Sequence, residues 1–205
     1  IISQNVACYF VLGALLSLYL FDQIDWHYHR SIRDELTGLY NRRYFNERLN
    51  AMSSGGLTPG VIAIVDIDHF KRVNDSFGHD VGDKIIQHVS RTLLESLPED
   101  TLLARYGGEE FICYLPDCNN AVARGVLNQL RTRIATLPLM FSGHNPCITV
   151  SVGYSATQAG EPFTHVIKQA DIALYEAKRL GRNGVIGLEM LSAFNIAAPA
   201  MTDQV

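Results

Sequence analysis

Thr101-Leu-Leu-Ala-Arg-Tyr-Gly-Gly-Glu-Glu-Phe-Ile-Cys-Tyr-Leu115 is the stretch whose reading settles the fold class. Thr101–Tyr106 and Phe111–Leu115 are rich in apolar strand formers and flank Gly107-Gly108-Glu109-Glu110, so the segment reads as a β-hairpin. The glycines let the backbone turn tightly and admit a ligand where a Cβ would stand in the way. A plain hairpin favours Asn-Gly or Asp-Gly at this point. Two adjacent acids at a strand start repel each other unless a cation neutralises them.

Upstream, Val61-Ile-Ala-Ile-Val-Asp-Ile-Asp68 is β-branched and apolar on both faces, the pattern of a central strand. It ends in Asp66 and Asp68, and carboxylates are costly to bury unless paired or bound to metal. Alternation puts both on one face and turns Ile67 to the other. Taken alone, Asp-Ile-Asp reads as an ordinary polar strand end. With the hairpin beside this strand, Asp66 and a glutamate can share Mg²⁺, whose hard-oxygen chemistry suits carboxylates and phosphates. Such an acidic cluster serves metal-assisted phosphoryl transfer.

Further out, Val81, Ile85, Ile86, Val89, Leu93 and Leu97 recur at helical spacing. So do Val122, Val126, Leu130, Ile134 and Leu137, and again Phe163, Val166, Ile167, Ala170, Leu174 and Ala177. Cys147–Ser155 reads as another strand. The order is helix, strand, helix, hairpin, helix, strand, helix. It predicts an α+β sandwich with helices flanking a mainly antiparallel central sheet.

The 205 residues suffice for one core and an extra segment. We divide them into an apolar helix and linker helix over 1–33, a catalytic domain over 34–189, and a peripheral tail over 190–205. A formal charge of −4 argues against a general nucleic-acid binder, while leaving room for a single nucleotide gripped locally. Cys8, Cys113, Cys118 and Cys147 show neither Cys-x-x-Cys nor zinc spacing and are expected as thiols in a reducing compartment.

The chain starts at Ile1 rather than Met and reads as a piece of a longer protein. Val6–Phe21 carries no charge, although a bilayer span takes roughly 20 such residues. Tyr9, Tyr19 and Trp26 suit its flanks. Arg30, Arg33, Arg42 and Arg43 place the following side in the cytoplasm, while His27 and His29 fall on different helix faces. The expectation is a bacterial inner (cell) membrane anchor with the catalytic domain in the cytoplasm. The competing reading is a buried or coiled-coil helix of a soluble dimer.

Arg105-Tyr-Gly-Gly-Glu-Glu-Phe111 resembles the signature of GGDEF-family diguanylate cyclases, in its GGEEF form. Asp34-Glu-Leu-Thr-Gly-Leu-Tyr-Asn-Arg-Arg43 resembles the opening motif of these domains. Asp66-Ile-Asp-His-Phe-Lys71, Asn74-Asp75, Phe77-Gly-His-Asp80 and Gly82-Asp83 resemble their metal and nucleotide segment. Ala170-Asp-Ile-Ala-Leu-Tyr-Glu-Ala-Lys178 and Gly181-Arg-Asn183 resemble their closing helix and loop. Together the blocks run from Ile32 to Gly187, in order.

The resemblance implies a nucleotidyl-cyclase-like, polymerase-palm-related sandwich that condenses two GTP into cyclic di-GMP. A ribose 3′-hydroxyl attacks the α-phosphate, with pyrophosphate release, at a two-fold homodimer interface. It implies two Mg²⁺ (or Mn²⁺) per site, held by Asp66, Glu109 and the backbone carbonyl of Ile67, with Glu110 as a further ligand. One of the two glutamates also takes the hydroxyl proton; Glu109 is favoured for combined duty. Lys71, Lys178 and Arg182 hold the triphosphate, and Phe70 and Lys71 open a helix whose N–H groups face phosphate. Asn74 and Asp83 read guanine, and His79 is a turn or pocket residue.

Asp34 and Asn41-Arg42-Arg43 are expected to tie the incoming helix to the core. Many relatives carry Arg-x-x-Asp before the hairpin as a product-inhibition site. Pro98, Glu99, Asp100 and Thr101 stand there instead. Two rival readings are a single-nucleotide cyclase or polymerase-palm relative, and a degenerate module that binds GTP or cyclic di-GMP. Intact Asp66, Lys71, Glu109 and Glu110 argue against degeneration.

Overall fold

Strand alternation along one buried strand organises the whole domain. The computed structural model describes residues 12–13, 15–20, 32–54, 59–136, 147–158 and 160–193. A short strand β1 (Tyr40–Asn41) runs into helix α1 (Arg42–Ser54) and then the central strand β2 (Gly60–Ile67). Helices α2 (Phe70–Phe77) and α3 (His79–Ser96) follow, then the hairpin of β3 (Leu102–Arg105) and β4 (Glu110–Pro116). Helix α4 (Asn120–Thr136), strand β5 (Val150–Ala156), helix α5 (Phe163–Arg179), strand β6 (Val185–Gly187) and helix α6 (Leu188–Ala193) complete the order.

The six strands form one sheet in the order β1-β3-β4-β2-β5-β6. β2 pairs antiparallel with β4 and β5, and β3 with β4, while the edge pairs β1–β3 and β5–β6 are parallel. The mainly antiparallel α+β sandwich is as expected from sequence. The two short edge strands and α6 were not anticipated, and Leu191 of α6 is buried.

All eight residues of β2 are buried, so the sheet carries a core on each face. Val61, Ala63, Val65 and Ile67 pack with Ile85, Ile86, Val89 and Leu93 of α3 and with Leu127 and Leu130 of α4. Ile62 and Ile64 pack on the other face with Phe45 and Leu49 of α1 and with Val166, Ala170 and Leu174 of α5. Truncating Ile62 or Ile64 to Ala would cost roughly 2–5 kcal/mol, because neighbours close such holes only partly. α1 starts where Asn41 Oδ1 accepts the Tyr44 N–H at 3.0 Å, an N-cap bond that satisfies one orphan donor.

α5 lies directly on main chain. A Cβ at Gly153 of β5 would collide with the Leu174 N and the Ala170 carbonyl of α5. Only glycine permits so close an approach of helix and strand.

Residues 12–13 and 15–20 are helical, and Leu15, Leu16, Leu18 and Tyr19 are exposed. Among the described residues no helix is long and apolar enough to cross a membrane. Half of Val6–Phe21, the segment with Trp26, His27, His29 and Arg30, and also Cys8 and Leu137 lie outside them. Cys113, Cys118 and Cys147 are free thiols.

Candidate active site

Ile62 and Ile64 face α5, so by alternation Asp66 does as well. Its carboxylate meets the last turn of that helix, where Lys178 Nζ lies 2.8 Å from Asp66 Oδ2. Across the ladder Asp66 pairs with Glu110, the first residue of β4. Glu109 comes just before the strand, and its backbone carbonyl accepts the Ile67 N–H at 3.3 Å. The hairpin therefore lies beside β2 with both glutamates at the strand end.

Burial holds the Asp66 carboxyl above its ordinary range; Lys178 and Arg182 oppose the rise and Asp68 adds to it. Glu110 is raised too, first by burial, then by Asp66, with Asp171 and Glu109 adding and Lys178 opposing. Two buried carboxyls, one opposing the ionisation of the other, form a place for positive charge. The Lys178 ammonium already sits on it.

The donor set fits a small hard cation. Among the described residues no group of three or more His, Cys, Asp or Glu side chains stands ready to enclose a metal. Mg²⁺ does not require that, since it binds through one or two carboxylates and completes its shell with water and substrate phosphates. Asp66 and Glu110 supply two carboxylates, with Glu109 and the Ile67 carbonyl adjacent.

Asp68 behaves differently. It accepts the Thr149 hydroxyl at 2.7 Å, the Ser151 hydroxyl at 2.7 Å and the Asn183 N–H at 2.9 Å. Its role is to pin β5 and the loop after α5, and sequence reasoning missed it because those partners lie far along the chain.

A second cluster forms where α2 turns into α3. Asn74 Oδ1 is buried without a hydrogen-bond partner and occupies the space a Cβ at Gly82 would fill, next to Phe70. An orphaned buried acceptor is costly unless a donor reaches it. Guanine offers N1–H and a 2-amino group, so the residues suit that base, with exposed Asp83 adjoining. Lys71 and His79 are exposed at the first turns of α2 and α3. His69, at φ 55°, precedes α2 without a side-chain cap.

Arg105 links the hairpin to the chain's entry. It donates to the Gly108 carbonyl at 2.7 Å and forms an ion pair with Asp34 at 3.1 Å. Burial pushes the Asp34 carboxyl up, but bonds from Thr37 and the Arg105 charge outweigh it and hold the group below its ordinary range. The Arg42 guanidinium lies 4.4 Å from the Tyr106 ring centroid. Asp34, Asn41 and Arg42 are thus structural, as expected, whereas Arg43 pairs with Glu47 on the surface. Pro98, Glu99 and Asp100 form an exposed turn closed by the Thr101 N–H on the Pro98 carbonyl at 3.0 Å.

Fold and site together define a class: α+β domains that bring carboxylates and basic side chains to the end of a central strand. Residues 31–184 match the family described as "Diguanylate cyclase, GGDEF domain", and the chain belongs to it. It is 41% identical over 157 residues to diguanylate cyclase DgcP of Pseudomonas aeruginosa, covering 75% of this chain and 23% of that protein. It is 36% identical over 176 residues to the response regulator PleD of Caulobacter vibrioides, covering 82% and 38%. The chain thus spans well under half of these relatives' length. The coiled coil and GGDEF domain of DgcB from Caulobacter crescentus, solved in complex with c-di-GMP, superposes with a TM-score of 0.82 at 30% identity. That match covers 89% of this chain and 98% of the solved chain.

Proposed function

We propose that this domain condenses two GTP molecules into cyclic di-GMP. The observation that carries the reading is the Asp66–Glu110 cross-strand pair with Lys178 upon it, and the buried, unpartnered Asn74 acceptor where α2 turns into α3 adds to it. Asn74 and Asp83 read the guanine edge. Lys71, Lys178 and Arg182 hold the triphosphate and offset charge that develops as the leaving group departs.

Asp66, Glu109, Glu110 and the Ile67 carbonyl would hold Mg²⁺ or Mn²⁺, two per site. The ions supply Lewis acidity at the α-phosphate and lower the hydroxyl's pKa. One of the glutamates takes the 3′-hydroxyl proton as the O3′–Pα bond forms and the bond to pyrophosphate breaks. Each domain presents one GTP, so the two phosphodiester bonds require two copies facing each other with two-fold symmetry.

The charge-free run Val6–Phe21 and the arginines after it support a tether to the bacterial inner membrane, with the catalytic part on the cytoplasmic side. Fractionation of the full chain checks this: recovery in a salt-resistant, detergent-released pellet is expected, and recovery in the supernatant overturns it.

Incubation with GTP and Mg²⁺, with the product identified by mass spectrometry, tests the activity. Cyclic di-GMP is the expected product. Cyclic GMP would point to a single-nucleotide cyclase, and tight binding without turnover to a receptor.

A further inference from the structure

The loop between α5 and β6 adopts a backbone that most side chains avoid. Gly181, Arg182 and Asn183 have φ of 115°, 64° and 44°. Asn183 tolerates the left-handed region, but for Arg182 it is unfavourable and persists only where surroundings impose it. Here Asn183 is gripped from both layers of the sandwich. Its N–H donates to Asp68 Oδ2 at 2.9 Å, and its side-chain Oδ1 accepts from Arg131 Nη1 of α4 at 2.8 Å. Asp68 is itself fixed by the Thr149 and Ser151 hydroxyls and is 5% exposed. Neighbouring bonds, Arg182 N–H to the Ala177 carbonyl and Val152 N–H to the Gly184 carbonyl, secure the loop's two ends.

We propose that Asp68 and Arg131 are positioning residues, which clasp Asn183 so that the adjacent Arg182 presents its guanidinium to the nucleotide's phosphates beside Asp66. The inference rests on reading Arg182 as a triphosphate contact. Neither clasping residue touches substrate. Asp68 is one strand position from Ile67, yet two of its three hydrogen bonds serve β5 and the third reaches across 115 residues to Asn183. Arg131 reaches the loop from the surface of α4. Removing either arm leaves the left-handed pair under-supported, and the loop relaxes towards negative φ and carries Arg182 away.

The test uses the full chain, Mg²⁺ and 3′-deoxy-GTP, which lacks the attacking hydroxyl and so binds without reacting. Arg131→Ala and Asn183→Gly cut the two partners of one bond, and glycine keeps the N–H and the left-handed backbone. Each is expected to weaken 3′-deoxy-GTP binding about tenfold, the low end of what removing an outer-shell partner costs. GMP affinity, which does not use the terminal phosphates, is expected to stay at the parent value. In an Arg182→Ala background neither change should weaken binding further, because residues acting through a shared partner are not additive. Asp68→Asn retains an acceptor for the Asn183 N–H and should bind better than Asp68→Ala.

Parent-like triphosphate binding by Arg131→Ala and Asn183→Gly overturns the clasp, as does equal loss for GMP. Full additivity with Arg182→Ala overturns it too. If Arg182→Ala weakens binding while the clasp variants do not, the proposal fails and the cyclase reading stands. If Arg182→Ala binds like the parent, the reading of Arg182 falls first and the clasp falls with it.

Discussion

Asp66 and Asp68 stand two residues apart at the end of β2, 6% and 5% exposed, in opposite surroundings. Asp68 is held by the protein: two hydroxyls and one backbone N–H donate to its carboxyl oxygens. Asp66 faces another carboxyl, and burial raises it despite a single ammonium at 2.8 Å. Equal burial therefore says little about role. What separates an anchor from a reactive group is whether the protein itself completes the shell of hydrogen bonds.

The sharpest way to break this contrast is to neutralise Asp66. Asp66→Asn should lower turnover by at least about a hundredfold, the scale on which preorganised charge partners act. Its melting temperature should hold or rise, since an uncomfortable buried charge is gone. Rates of cyclic di-GMP formation and thermal denaturation check both halves, and near-parental turnover would refute the assignment of Asp66.

Asp68→Ala should show the reverse order of damage to the fold. It strands the buried Ser151 hydroxyl and frees the Asn183 N–H, and should cost about 1–3 kcal/mol in denaturant unfolding. A loss below about 0.5 kcal/mol would show that water replaces the carboxylate there, erasing the contrast.

A smaller effect appears in pH. Asp66 and Glu110 bind protons more tightly folded than unfolded, so their stabilising contribution is full below their unfolded pKa values. From about pH 4 upward it is lost as pH rises through the raised folded values. Asp34 has the opposite sign, since its lowered carboxyl loses its contribution as pH falls through the folded value. Melting curves without divalent metal should therefore decline with rising pH more in the parent than in Asp66→Asn, and Mg²⁺ should narrow that difference. A parent no steeper than Asp66→Asn would contradict the unsaturated state of the pair.

The smallest expected effect is none. Pro98 has no donor and no arginine stands in the exposed turn up to Thr101, so nothing there can grip guanine edges and phosphate as a guanidinium does. Micromolar cyclic di-GMP should leave the initial rate unchanged. Strong non-competitive inhibition would place a regulatory surface elsewhere.

Much of this was legible in the sequence because it is local. The β-branched run of β2, the helical periods of α3 and α5, and the Gly-Gly turn each declare themselves within a few residues. β1 and β6 do not, since strands of two and three residues owe their existence to parallel partners distant in the chain. The site divided along the same line. Asp66 and the glutamates were visible as misplaced acids, but the pairing of Asp66 with Glu110 rather than Glu109 comes from register alone. Asp68 looked like its neighbour, and only Thr149, Ser151 and Asn183 reveal the difference. The run Gly181-Arg-Asn-Gly184 after a helix was the one available hint of an unusual loop.

Gly153 bears on how such a domain can change over generations. Because α5 rests on bare backbone there, its distance from the sheet is set by main-chain dimensions, not by the bulk of intervening side chains. Lys178 lies one turn beyond Leu174 on α5, so this contact also bears on how far it stands from Asp66. A substitution at Gly153 is thus a direct way for sequence change to reach that spacing. One added methyl group there would meet the backbone of α5 and lift the helix.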